Sequence, residues 1–466
     1  MSRIIILGAG FGGLRVALDL AKAGRRIEGH DVVLVDRVFH HVYTPLLYEV
    51  ATGFFGEERG EKAMELWERI LCKGVCIRIE QLPAIVEGKH IRFESGEVER
   101  IDRVSRRVML SGGRELPYDY LVVALGAETD YFGIPGIREH AIPFKTARDA
   151  LTLRRRIMKF AEAQAEGREE KVCVAIGGGG PTGVELAAEV TNMFRKIIPP
   201  APSRGSDLLL YPAGYLSPEG DLPAESRSGA LAPPAGGGMG PDSRPRCAVT
   251  LIEAAPRILG AFPEAIAAAV EKRLQKLGVS VMAGVAVAGV TGNAVTLANR
   301  ATGEKQELEA DVFVWTGGVR GNHIIAESGF SVDKKGRAPV DEFLRAAGEE
   351  QVFVIGDGAA SHNPKFQTEP GLAYVAVKQG RLAAENILRM IEGKPFRRYD
   401  PLRRVDDIIP LGGKHEYAVV FGIAFHGFLA WLIRRFVDLR YFLSILPFRS
   451  ALFFWLRGAK VYIQND

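Results

Sequence analysis

The sequence predicts an α/β fold with two Rossmann-like units in one chain, followed by a C-terminal region of different character. Three observations carry this. A glycine-cornered turn, Gly8-Ala9-Gly10-Phe11-Gly12-Gly13, lies between an apolar run at residues 3–7 and a helical pattern at 14–23 that stops at Gly24. The same grammar returns at residues 171–194, around Gly178-Gly179-Gly180-Pro181-Thr182-Gly183. Each unit is then answered by an apolar strand ending in an acid: DVVLVD closes on Asp36, and AVTLIE on Glu253.

Each part of such a turn has a physical job. Gly8 allows the tight bend, Gly10 lets the backbone approach a pyrophosphate, and Gly13 lets helix meet strand. The helix N-terminus adds amide donors and the positive end of the dipole. Asp36 stands where it can accept both ribose hydroxyls. Gly178, Gly180 and Gly183 repeat the pattern, with Glu253 as the terminal acid. A carboxylate there favours the free 2′-hydroxyl of NADH and repels the 2′-phosphate of NADPH, a preference that nearby Arg257 would soften. Two units imply two dinucleotide sites. YDYLVVALG at residues 118–126 reads as a strand returning to the first unit and ending in Gly126; VFVIGD at 352–357 reads as another, ending in Gly356-Asp357.

Composition bounds the rest. A chain of 466 residues with 47% hydrophobic and 25% charged residues has the make-up of a multidomain globular protein. Its formal net charge of +4 gives no sign of nucleic-acid binding. Cys72, Cys76, Cys173 and Cys247 offer no disulfide framework or zinc spacing, as suits a reducing compartment. The start Met1-Ser2-Arg3 runs straight into a strand, so no signal or transit peptide is expected and the cytoplasm is the default. The expected divisions are 1–145 and 336–393 for the first unit, 146–335 for the second, and 394–466 for the C-terminal region. A Pro/Gly-rich insertion at about 199–245 reads as a disordered surface segment in which residues 208–211 can dock locally. Residues 56–107 read as a charged excursion of short strands and turns, with Cys72 and Cys76 straddling Gly74 at one turn.

Four ordered motifs over this length resemble those of the two-dinucleotide-binding-domain flavoproteins. Three further segments are similar to signatures of the type II NADH:quinone oxidoreductases: PLLYEVA at 45–51, EAAPRIL at 253–259 and DVFVWTGGV at 311–319. The resemblance implies FAD in the first unit and NADH in the second. By it, Asp357 bonds the FAD ribityl chain, Thr44, Pro45 and Leu46 run beside the isoalloxazine ring, and Ala373 joins the FAD contacts. Gly12, Gly126 and Gly356 belong to the same site. Gly317 and Gly318 back the nicotinamide, and Pro181 and Thr182 complete the NADH turn. Glu185 matches a glutamate near nicotinamide and flavin; its plain alternative is a first-turn helix acid stabilised by the dipole. Adjacent His40 and His41 point oppositely in an extended segment, so packing or a flavin-edge contact is expected and a metal site is not. No cysteine occurs at 38–50 or near Gly126 or Asp357, so thiol chemistry is not expected either.

The chain departs from the family at the helix opening near Leu372, where two glutamines one turn apart usually line the quinone site. Here Tyr374 and Lys378 stand in those places, on one helix face. Lys378 is expected at the flavin pyrimidine edge; a solvated lysine is the alternative. Beyond residue 425, apolar residues fall at 425, 428, 429, 432, 436, 439 and 443, while Arg434, Arg435, Asp438 and Arg440 interrupt any span. A second cluster, residues 452–456, lies between Arg449 and Arg457. Together these read as amphipathic helices docking peripherally on the cytoplasmic face of the cell membrane. A homodimer interface, a domain core or a short transmembrane helix at 417–433 would compete for the same stripe. The expected activity is hydride transfer from NADH to FAD, then two-electron reduction of a membrane quinone without ion pumping. A flavoprotein reductase with a non-quinone acceptor, or a flavin-bearing redox sensor, is the rival reading.

Overall fold

The computed structural model of the chain describes residues 2–53, 61–86, 91–165, 172–197 and 247–465. The expected insertion, with its residues 208–211, lies outside them.

Arg3–Leu7 forms the centre of a five-stranded parallel sheet, ordered Val352–Val354, Tyr120–Val123, Arg3–Leu7, Asp31–Asp36 and Ile91–Ser95. Ile4, Ile5, Ile6 and Leu7 are all fully buried, because helices and a second layer cover both faces. The helix Phe11–Lys22 packs on the helix Ala373–Ile391, and Gly380 is what lets them approach: a Cβ there would stand 2.5 Å from the Gly12 carbonyl oxygen. Both strands expected to return to this unit, around residues 120 and 353, are in it.

The second parallel sheet runs Ile142–Pro143, Val312–Trp315, Val172–Gly177, Cys247–Glu253 and Val279–Ala283. Its helices Pro181–Ile197 and Glu264–Lys276 follow the second glycine turn and its answering strand. A three-stranded antiparallel sheet accompanies each unit, Val98–Asp102 to Arg114–Pro117 in the first and Val285–Val290 to Lys305–Glu309 in the second.

Two expectations are corrected here. The excursion at 56–107 runs as short strands and turns only from Cys76 onward, and its described earlier part is helical. Glu61–Val75 is a helix that holds Gly74 in its last turn, and Cys76–Arg78 is a strand pairing with His40–Val42. Leu71 and Val75, four residues apart, bury its inner face. Nor is there a spanning helix at 417–433: Glu416–Val420 and Ile423–Gly427 are antiparallel strands, and no described helix is long and apolar enough to cross a membrane.

The helices Phe428–Ile445 and Phe448–Asn465 close the chain. The first turns three of its four charges inward and leaves Arg440 exposed. Arg434, Arg435 and Asp438 are at most 5% exposed, whereas Phe428 and Phe436 are about 60% exposed and Leu429, Leu432 and Leu443 face out with them. The apolar stripe is therefore not domain core. Arg434 and Arg435 approach Glu416 at 3.8 and 3.9 Å, Arg435 approaches Glu49 at 3.9 Å, and Tyr43 donates its hydroxyl to Asp438 at 2.8 Å. Burial of these charges is tolerable because opposite charges are buried with them.

Candidate active site

The first glycine turn forms one wall of a cleft of about 550 Å³. Gly8 has φ +98°, and a Cβ there would lie 2.3 Å from the Ala124 carbonyl oxygen; at Gly13 it would lie 1.9 Å from that of Gly8. No side chain fits at either place. Gly10 has open space before it and faces the cleft. Asp36 accepts from the Ala9 amide at 2.7 Å and from the Val38 amide at 2.9 Å, so its carboxylate is clamped at the cleft edge. Gly356, Asp357, Gly371, Leu372 and Ala373 line the same cleft.

Most of the residues expected at the first cofactor converge there. Gly8, Gly10, Gly12, Asp36, Thr44, Gly126, Gly356, Asp357 and Ala373 all line the cleft. Gly13 sits beneath the turn, Leu46 is fully buried, and Pro45 offers its carbonyl oxygen to Arg434. His40 faces the cleft while His41 is fully buried, as alternation along a strand requires. A cleft lined by a bare glycine turn, a clamped acid and a Gly-Asp pair fits FAD.

The second turn repeats these contacts. Glu253 accepts from the Gly179 amide at 2.6 Å and from the Ala255 amide at 2.7 Å. A Cβ on Gly178 (φ +112°) would meet the Gly317 backbone at 2.6 Å, and one on Gly317 would meet the Trp315 ring at 2.4 Å. Gly318 lies against Phe132, so of the two glycines it is Gly317 that backs the turn formed by Gly178, Gly180, Pro181, Thr182 and Gly183. Arg257 is not free to soften the acid's preference. Its guanidinium donates to the carbonyls of Leu259, Gly260 and Phe262, so it braces its own loop.

Glu185 lies in the helix Pro181–Ile197 but beyond its first turn, and the plain reading as a dipole-stabilised acid does not hold. Burial pushes its pKa up to about 8, with Asp407 and Glu416 adding and Arg434 opposing. Asp407 is pushed up to about 6, again by burial. A pKa of about 8 favours the protonated carboxyl group of Glu185 at neutral pH.

A family model for pyridine nucleotide-disulphide oxidoreductases matches residues 2–380. The chain belongs to this family. It is 28% identical over 429 residues to the type II NADH:quinone oxidoreductase of Haemophilus influenzae, covering 86% of this chain and 83% of that protein. It is also 28% identical over 467 residues to Ndh, the type II NADH:quinone oxidoreductase of Mycobacterium tuberculosis, covering 97% and 87%. Its fold matches that of NDH2 from Plasmodium falciparum, solved with NADH, at a TM-score of 0.74, 16% identity and 99% coverage of both chains.

Within the pyridine nucleotide-disulphide oxidoreductase family a cysteine pair is the feature the name invites, yet no cysteine lines the described cleft. Cys72 lies in the last turn of the helix Glu61–Val75, and Cys76 sits opposite Val42 in a strand pair. Tyr374 is 40% exposed, with a pKa pushed up to about 12 by burial of the rest. Lys378 is not at the flavin-side cleft, where it was expected. It pairs with Asp400 at 3.2 Å and lies over the Tyr399 ring at 5.5 Å, both on the following segment. Sequence reasoning missed Lys145, which faces Asp357 at 3.7 Å, and the Glu128–His323 pair at 2.9 Å; both line the cleft. Nothing in their local sequence marks them, since only the tertiary fold brings each to the site.

Proposed function

We propose that this chain is a peripheral NADH:quinone oxidoreductase that holds FAD in the first cleft and NADH at the second glycine turn. One observation carries the quinone reading. The helix Phe428–Ile445 reaches the flavin-side segment on its inner face, through Arg434 to the Pro45 carbonyl, and exposes Phe428, Leu429, Leu432, Phe436 and Leu443 on its outer face. Phe421 and Ile423 at the preceding hairpin tip, and Phe453 and Leu456 on the last helix, are exposed as well. An apolar surface of this extent suits a lipid interface, from which a water-insoluble acceptor would arrive.

When bound, FAD supplies the redox chemistry, taking a hydride from the nicotinamide and passing two electrons on. The chain supplies position and charge. The amides at the start of Phe11–Lys22 and Pro181–Ile197 would hold the two pyrophosphates, and Asp36 and Glu253 would accept from the adenosine riboses. Asp357 and Ala373 close the flavin end, with Lys145 beside Asp357. Glu185 holds a proton on its carboxyl group at neutral pH and is the group to deliver it to a quinone oxygen. Tyr374 takes one of the family glutamine positions toward the acceptor, whereas Lys378 is engaged elsewhere. The docking face is the cytoplasmic side of the cell membrane; self-association of the same stripe into a homodimer is the competing use.

The test is anaerobic. NADH added to purified protein should bleach the flavin, and menaquinone or ubiquinone analogues added separately should restore its colour. Bleaching without recovery by any quinone would leave a reductase with another acceptor; turnover below about one per second with every quinone would favour the sensor.

A further inference from the structure

Four rings meet beneath the first glycine turn. Phe11 lies 5.0 Å from His41 and 5.2 Å from Tyr441, and Tyr43 stacks on Tyr441 at 4.9 Å. Packing alone would account for the rings, but a line of hydrogen bonds also runs through them. The His41 Nδ1 lies 3.0 Å from the Ala9 carbonyl oxygen, and its Nε2 lies 2.6 Å from the Tyr441 hydroxyl.

The direction of these bonds follows from chemistry. A carbonyl oxygen only accepts, so Nδ1 carries the hydrogen. His41 is fully buried, and burial pushes its pKa down to about 4, which leaves the ring neutral and Nε2 an acceptor. Tyr441 therefore donates to His41, and His41 donates to Ala9. On its other side Ala9 donates its amide to Asp36, and Gly8 donates to the Val35 carbonyl at 2.8 Å. Both polar groups of Ala9 are held. The next residue, Gly10, opens the helix Phe11–Lys22 with no side-chain cap and faces the cleft.

We propose that His41 and Tyr441 are positioning residues for FAD, acting through the Ala9 carbonyl to aim the amides of the glycine turn at the pyrophosphate. This rests on the reading of the first cleft as the FAD site. It makes the C-terminal helix part of flavin retention: Tyr441 faces the turn, while Phe436, Val437 and Leu443 of the same helix face outward.

The readout is the rate of FAD release from purified holoprotein, followed by the rise in flavin fluorescence on dilution, with the fold of each variant checked by circular dichroism. Tyr441→Phe removes only the hydroxyl and should speed release about tenfold, the effect of one lost buried hydrogen bond. His41→Ala should do at least as much. His41→Asn keeps a side-chain N–H where Nδ1 stood, and should return release to within about threefold of wild type. Unchanged release in Tyr441→Phe and His41→Ala would overturn the proposal. Equal speeding by His41→Ala and His41→Asn would do so too, since lost packing would then explain both. If Tyr441→Phe does not fold, the two His41 variants decide. A wild-type protein that purifies colourless would instead refute the FAD reading itself.

Discussion

Arg434 donates its Nη2–H to the carbonyl oxygen of Pro45 at 2.7 Å, across 389 residues of chain. Its guanidinium also lies 5.0 Å over the Tyr48 ring, and its neighbour Arg435 approaches Glu49 and Glu416. The helix Phe428–Ile445 thus packs behind the segment 43–49. Truncation after Gly427 would strip these carboxylates of both cations, a loss that costs several kcal/mol per buried charge. We expect truncated protein to lose flavin, and with it dye reduction as well as quinone reduction. Flavin content per polypeptide measures this; a truncated protein that stays yellow and reduces dyes would make the helix an anchor only.

The outer face is separable from the inner one. Leu432→Ser with Phe436→Ser removes two exposed apolar side chains and touches none of the buried pairs. Burying each such side chain is worth about 1.5–3 kcal/mol, so partitioning onto anionic vesicles should weaken at least about tenfold while flavin content stays constant. Co-sedimentation with vesicles gives the partitioning, and sedimentation velocity without lipid shows whether the stripe joins two copies instead.

The glycine turns were legible because their requirement is local: at Gly8, Gly13 and Gly178 a Cβ would strike backbone, whatever the rest of the chain does. The same holds for His40 and His41, whose opposite directions follow from strand alternation. The facing of the Phe428–Ile445 helix was not so determined. An apolar stripe has one period whether it points inward or outward, and what turns Arg434 and Arg435 inward is Glu49 and Glu416, which lie elsewhere in the sequence. The partner of Lys378 was not legible for the same reason, because Asp400 lies beyond the helix that carries the lysine.

That placement has a direct consequence. With Lys378 held by Asp400 and Tyr399, its charge is spent away from the cleft. Lys378→Met should leave the flavin midpoint potential unchanged in spectroelectrochemical titration, and a clear downward shift would return the lysine to the flavin edge.

At the second turn, Glu253 and Arg257 are expected to behave differently. Glu253→Gln keeps one acceptor but loses the charge that receives the Gly179 and Ala255 amides. We expect the KM for NADH to rise about tenfold and the preference over NADPH to shrink, as one charged hydrogen bond implies. Arg257→Ala should leave that preference alone and lower the melting temperature, since its donors all serve carbonyls of its own loop. Steady-state kinetics with both nucleotides tests the pair; a preference that moves in Arg257→Ala would contradict it.

Glu185 gives the pH signature of the site. Its ordinary pKa is about 4.5, and burial pushes it up to about 8 in the folded chain. Between these values the folded protein holds a proton that the unfolded chain has released. This contribution to stability is thus complete below about pH 4.5 and is lost as pH rises through about 8. Glu185→Gln cannot ionise, so its melting temperature should draw ahead of wild type across that window and keep a constant lead above it. The lead corresponds to a few kcal/mol. In quinone reduction the sign is reversed: the variant cannot give up a proton, so turnover should fall most at neutral pH, where wild-type Glu185 is protonated. It should approach wild type above about pH 8.5, where that proton is already gone. Parallel melting curves at every pH would mean the carboxyl group is solvated and ionised, and that the proton reaches the acceptor from water.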